Sequence, residues 1–138
     1  MNLYLDSSVL LRLVLAEPEA LEEVRKADVL VSSELLAVES RRTIDRLRHQ
    51  GALPPDAALR RLDIVTDWLE AVDLVLLRAP ILARASEPLP MPLGTLDAIH
   101  LATALVWRDR MSEILTVATH DNALGQAARS FGFSVIGT

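Results

Sequence analysis

The sequence predicts an α/β fold in which a parallel sheet is covered by helices on both faces. Short apolar runs (Leu3–Leu5, Val29–Val31, Leu74–Leu77, Ile114–Ala118 and Ser134–Ile136) alternate with longer stretches of helical pattern, the mark of strand–helix–strand units. The third run is apolar at every position, as expected where both faces of a strand are covered. The 138 residues are 51% hydrophobic and 24% charged, enough apolar matter for the core of one domain and too much for a disordered chain.

Each element has its own local signal. Leu3–Leu5 is closed by Asp6-Ser7-Ser8, a cluster suited to cap a following helix. Pro18 to Ala27, with Pro first and Glu19, Glu22 and Glu23 in the opening turns, reads as a second helix. After Val29–Val31, Ser32-Ser33 caps a long helix that ends at Gly51. Pro54-Pro55-Asp56 begins another, running to about Ala71. Beyond Leu74–Leu77 comes Ser86 to Gly94, with Pro88, Pro90 and Pro92 at every second position, which reads as a stiff extended connector and one possible wall of a site. Thr95 to Arg108 is a helix, as is Asn122 to Phe131, stopped by Gly132.

Composition removes several functional classes. There is no Cys, hence no disulfide scaffold, thiolate metal site or cysteine nucleophile. Aromatic residues are 4%, too few for a stacking platform on single-stranded nucleic acid. A net charge of −5 argues against holding nucleic acid by bulk positive field. A local basic patch stays open, because the basic residues are Arg apart from Lys26. The opening segment lacks a basic leader and carries Asp6, Arg12 and Glu17. The longest apolar stretch, Ala98 to Trp107, is interrupted by His100 and falls short of the roughly 18 residues a spanning helix needs. The expectation is a soluble, cytoplasmic protein with no membrane association.

Four acids stand where surface carboxylates ordinarily do not. Asp6 follows the first strand and Asp121 closely follows the fourth, at the sheet edge where open parallel sheets bind ligands. Either one taken alone reads equally as a helix cap. At about 100° per residue, Glu39 falls in the apolar arc with Leu35, Leu36 and Leu47, while Arg41, Ile44, Asp45 and Arg48 point elsewhere. A carboxylate there needs a partner: an ion pair with Arg42 or Arg46, or a metal. Asp97, His100 and Thr103 are the clearly polar members of a helix apolar almost all round, which places that helix in an interior. The plainer reading makes Asp97 a first-turn acid facing the helix dipole and His100 a satisfied core histidine.

Taken together, the four acids share one crevice above the sheet. Two carboxylates about 4 Å apart repel by about 4 kcal/mol at an effective dielectric of about 20. With no matched cations in the sequence, such a cluster either takes up protons at raised pKa or recruits a divalent metal. Oxygen ligands favour magnesium or manganese, and a pair of such ions suits phosphodiester hydrolysis.

LDSSVLL at Leu5–Leu11, Glu39 within ELLAVES, TLDAIHLATAL at Thr95–Leu105 and ATHDNALGQAARSFGF at Ala118–Phe133 resemble the PIN-domain ribonucleases, and within them the VapC-like toxins of toxin–antitoxin pairs. The resemblance spans nearly the whole chain. It implies a PIN-like three-layer α/β/α sandwich over residues 1–138, with a central, mostly parallel sheet of four to five short strands. It also implies that Asp6, Glu39, Asp97 and Asp121 are the catalytic acids binding one or two Mg2+ or Mn2+ ions, supported by the hydroxyls of Ser8 and Thr119. The implied activity is RNA cleavage leaving a 5′-phosphate and a 3′-hydroxyl. The implied partners are RNA, a small cognate antitoxin and a second copy in a homodimer. Around Asp121 the chain departs from the pattern, since no second acid follows in the terminal helix, which leaves room for a single metal at rest.

Two divalent ions would move the net charge from −5 to about −1, leaving arginines to hold phosphates. Arg12, Arg42 and Arg46 are the candidates, with Arg41, Arg48, Arg60 and Arg61 nearby in sequence; the competing reading is a solvated helix face paired with acids.

Other enzymes of similar outline fit less well. A phosphoaspartate receiver needs a late Lys, and here the single Lys is Lys26. A haloacid-dehalogenase-type phosphatase needs an acid where Ser8 stands. No G-x-S-x-G elbow for a serine hydrolase is present. The alternatives to a toxin are a housekeeping RNA-processing nuclease and a catalytically silent acidic domain that binds a partner.

Overall fold

The computed structural model describes residues 1–138. Its elements are β1 (Asn2–Leu5), α1 (Ser7–Val14), β2 (Val29–Ser33), α2 (Leu35–His49), α3 (Pro55–Glu70), β3 (Asp73–Val75), α4 (Ala79–Ala85), α5 (Thr95–Met111), β4 (Thr116–Ala118), α6 (Asn122–Ser130) and β5 (Ser134–Ile136). The strands form one sheet in the order β3-β2-β1-β4-β5, and every pairing is parallel. The chain lays down β1, β2 and β3 in one direction, then crosses over to place β4 and β5 on the other side. Strand order therefore reverses between β1 and β4, and an open parallel sheet leaves a crevice at its carboxyl edge at such a point.

Alternation along the strands sorts the core into two halves. Leu3 and Leu5 of β1 pack on one face with Val9, Leu10, Leu36, Ile44, Ala58 and Val65, contributed by α1, α2 and α3. Tyr4, pointing the other way, packs with Leu101, Leu105, Val117, Leu124 and Ala128, which brings α5 and α6 to the opposite face. The result is an α/β/α sandwich of three layers, with an entirely parallel sheet where a mostly parallel one is expected from sequence.

Four elements differ from the sequence expectation. Pro18 to Ala27 forms only a short 3-10 turn at Glu22–Lys26, because Ala16 and Glu19 take left-handed backbone conformations (φ 53° and 64°) that turn the chain back sharply towards β2. The third strand is Asp73–Val75 instead of Leu74–Leu77. It is an edge strand that ends at Val75, so Leu76, one residue beyond it, is exposed despite its apolar neighbours. The fourth strand begins at Thr116, leaving Ile114 in solvent. On α2 the buried row is Leu36, Ser40 and Ile44; Ile44 faces the core, and Glu39 flanks that row.

The helix α4, unmarked in the sequence because it is short and runs into the proline-rich stretch, explains the composition of α5. It packs on α5 from outside while the sheet backs α5 from inside, so His100, Leu101, Ala102, Thr103, Ala104 and Leu105 are all buried in consecutive positions. The connector after α4 is extended and alternates as its prolines demand: Leu89, Met91 and Leu93 pack against the core, while Pro88, Pro90 and Pro92 face solvent. With α4 and α5 it walls an apolar groove of about 520 Å3. None of the four acids lines that groove.

Candidate active site

Asp6 occupies the residue between β1 and α1, where a capping side chain would bond the helix, yet its carboxylate makes no such bond. Oδ2 instead accepts from Ser8 Oγ at 2.6 Å and from Thr119 Oγ1 at 2.8 Å. These two hydroxyls offset the cost of burying a group that is only 4% exposed. Both are oriented by the loop after β4. Ser8 Oγ accepts from the backbone N–H of His120 at 3.0 Å, and Thr119 Oγ1 accepts from that of Asp121 at 3.0 Å, which directs each hydroxyl proton to Asp6.

Asp121 does cap its helix: Oδ1 accepts from the backbone N–H of Leu124 at 2.9 Å. Capping and membership of the acid cluster, alternatives on sequence grounds, coexist here because a carboxylate has two oxygens. Across the sheet, Glu39 presents Oε1 to His100 Nε2 at 2.5 Å. The ion pair with Arg42 or Arg46, the alternative to a metal on sequence grounds, does not form. Arg42 pairs with Asp45 at 3.0 Å, and Arg46 reaches Thr43 at 3.5 Å, both on the exposed side of α2. Arg12 is likewise turned to Glu19 at 3.5 Å, so none of these three arginines touches an acid of the cluster.

His100 is fully buried and stands at the centre of the arrangement. Its Nδ1 lies 2.7 Å from Tyr4 Oη, and Nε2 lies 3.9 Å from Asp6 Oδ1 as well as against Glu39. Burial, the largest single effect, pushes its pKa down, but the hydrogen bond to Glu39 and the charges of Asp6, Glu39 and Asp97 more than offset this and leave it raised. Burial likewise holds the Tyr4 phenol far up from its ordinary value, so it stays protonated.

Asp97 makes no hydrogen bond through its side chain. Its pKa is pushed up to about 6, first by burial, then by the negative charges of Asp121 and Asp6, with Glu39 adding and His100 subtracting. Asp97 thus senses all three other acids, although they come from three separate segments of chain.

The four carboxylates follow one rule. Asp6, Glu39 and Asp121 each have one oxygen held by protein donors (Oδ2, Oε1 and Oδ1) and one oxygen without a hydrogen-bond partner. Asp97 has two unpartnered oxygens. No Arg or Lys pairs with any of the four; their ionic contacts are to His100 alone. The unpartnered oxygens are not gathered into a ready-made set of three ligands, as expected of like charges that face one another without a counter-charge. Hard oxygen donors with surplus negative charge and no Arg or Lys beside them fit a divalent metal ion of the magnesium or manganese type.

Sequence reasoning missed Tyr4. The available signal was a phenol in the middle of a buried three-residue strand, which needs a polar partner; His100, three residues along an apolar helix from Asp97, was the polar group without one.

A profile of the PIN domain family matches residues 3–130. The chain belongs to the PIN domain family, an α/β class whose outline the parallel sheet and flanking helices share. Among characterised proteins it is similar to ribonuclease VapC46 of Mycobacterium tuberculosis, with 35% identity covering 97% of this chain and 95% of that protein. It is also similar to ribonuclease VapC47 of the same species, with 28% identity covering 95% and 93%. No helix is long and apolar enough to cross a membrane.

Proposed function

We propose that this chain is a Mg2+- or Mn2+-dependent endoribonuclease that hydrolyses RNA phosphodiester bonds and acts as the toxin of a toxin–antitoxin pair. In this reading it works in the cytoplasm, as a homodimer, and is silenced by a small antitoxin. Two relatives named as ribonucleases support the activity. The observation that carries the reading to particular residues is that Asp6, Glu39 and Asp121 each keep one oxygen free of any donor and Asp97 keeps two, with no Arg or Lys paired to them.

Asp6, Glu39, Asp97 and Asp121 would hold one or two ions. A divalent ion supplies a more acidic water and charge stabilisation for a leaving oxygen. Ser8 and Thr119 orient Asp6 by donating to Oδ2. The Leu124 N–H does the same for Asp121, and His100 for Glu39. Asp97, which no donor holds, carries the charge that is least tolerable without a cation. Arg12, Arg42 and Arg46 are side chains that an RNA backbone could draw away from their present exposed acidic or hydroxyl partners, since exposed pairs of this kind are worth little.

Cleavage of labelled RNA by the purified chain tests the proposal. Products bearing 5′-phosphates should form with Mn2+ and disappear with chelator. RNA left intact at millimolar Mg2+ and Mn2+ would overturn it.

A further inference from the structure

Tyr4 and His100 have no part in the function proposed so far beyond the hydrogen bond that His100 gives to Glu39. Both are shut away from solvent, on β1 and α5, and their rings meet edge to face with centroids 5.8 Å apart. An ionised carboxylate offers only acceptors, so the 2.5 Å contact to Glu39 requires the proton on His100 Nε2. Nδ1 then accepts from the Tyr4 hydroxyl, 2.7 Å away, when the ring is neutral and donates to that oxygen when the ring is protonated. The phenol, the imidazole and the carboxylate form one continuous hydrogen-bonded chain in which Nε2 donates to Glu39 in either form of the ring.

Glu39 needs such a hold. It has three side-chain torsions to fix, it lies beside the buried row of α2, and Arg42 and Arg46 are engaged elsewhere. Outer-shell partners that fix a ligand's orientation before a cation arrives lower the cost of binding it. We infer that Tyr4 and His100 are positioning residues, a buried relay from β1 through α5 that fixes Glu39 with Oε1 engaged and Oε2 left for the cation. The inference rests on the metal-nuclease reading and extends it to two residues that touch neither metal nor substrate.

The test is calorimetric titration of the metal-free full chain with Mn2+, alongside melting temperatures, for wild type, Tyr4→Phe, His100→Gln and His100→Asn. The Gln amide nitrogen reaches the place of Nε2 and still donates to Glu39, whereas Asn reproduces only the Nδ1 side. His100→Asn should weaken Mn2+ binding by about tenfold or more, and His100→Gln should restore most of that loss. Tyr4→Phe, which keeps the ring and removes the hydroxyl, should weaken binding several-fold. Nitrogen NMR of the metal-free wild type should find Nε2 of His100 protonated.

Wild-type affinity in all three variants, equal loss in the Gln and Asn variants, or an unprotonated Nε2 would each overturn the relay while leaving the nuclease reading in place. Should His100→Asn not fold, Tyr4→Phe decides alone, unchanged affinity being the overturning result. A wild type that neither binds Mn2+ nor cuts RNA removes the nuclease reading, and the relay with it.

Discussion

The Thr119 hydroxyl donates to Asp6 Oδ2 at 2.8 Å while it accepts from the Asp121 backbone at 3.0 Å, so one side chain ties together the ends of the two strands that flank the sheet's crossover. Thr119→Val keeps shape and removes this donor. Asp6 keeps Ser8 but loses half its support at a nearly buried site. Denaturant unfolding of the metal-free protein should report a loss of about 1–3 kcal/mol, and Mn2+ affinity should fall with it.

Asp97→Asn separates charge from shape. It should abolish metal-dependent cleavage. In the metal-free protein it should leave the melting temperature unchanged or raise it, because the burial and carboxylate repulsion that lift Asp97 to about 6 no longer act. The gain is at most about 1 kcal/mol, less than the shift alone implies, because solvent screens this half-exposed site. Activity persisting in this variant would place the chemistry elsewhere.

Stability and metal binding should respond to pH in opposite directions. Asp97 is raised from 3.8 to about 6 and His100 is also raised, so the folded chain holds more protons at both sites than the unfolded chain. Folding free energy from these two groups therefore falls as pH rises through their folded-state values and recovers as pH is lowered from about 7 towards 5. A bound cation competes with the same protons. The rise in melting temperature caused by millimolar Mn2+ should be large at pH 7.5 and shrink below pH 6. A Mn2+ effect that did not change across this range would show that Asp97 is not a ligand.

Overproduction of the wild-type chain without a partner should arrest bacterial growth, and Asp97→Asn should not. Cells indifferent to the active protein, with cleavage still measurable in vitro, would favour a housekeeping nuclease.

Much of the architecture was readable because its signals are local: apolar runs marked the strands, and paired serines or prolines marked helix starts. The exceptions have tertiary causes. The segment at Pro18 carries a good helix opening, but the left-handed turns at Ala16 and Glu19 are set by the need to reach β2. Leu76 reads as core and is exposed because the edge strand ends one residue before it, at Val75. Glu39 and Asp97 stood out because each interrupts an apolar helical face, and Asp6 and Asp121 because each follows a strand. Of their supports, Ser8 and Thr119 came with the family resemblance and Tyr4 was missed, since pairings such as Thr119 with Asp6, 113 positions apart, leave no local signal. The arc that should have contained Glu39 was misjudged by less than a quarter turn, enough to place Ile44 outside a core it helps to fill.

That 113-residue span also governs when the chain can become competent during synthesis. Asp6 leaves the ribosome early and Thr119 late, and between them the crossovers that lead from β1 to β4 must close. A nascent or clipped polypeptide ending before the fourth strand lacks both Thr119 and Asp121, so the cluster of acids is completed only near the end of synthesis.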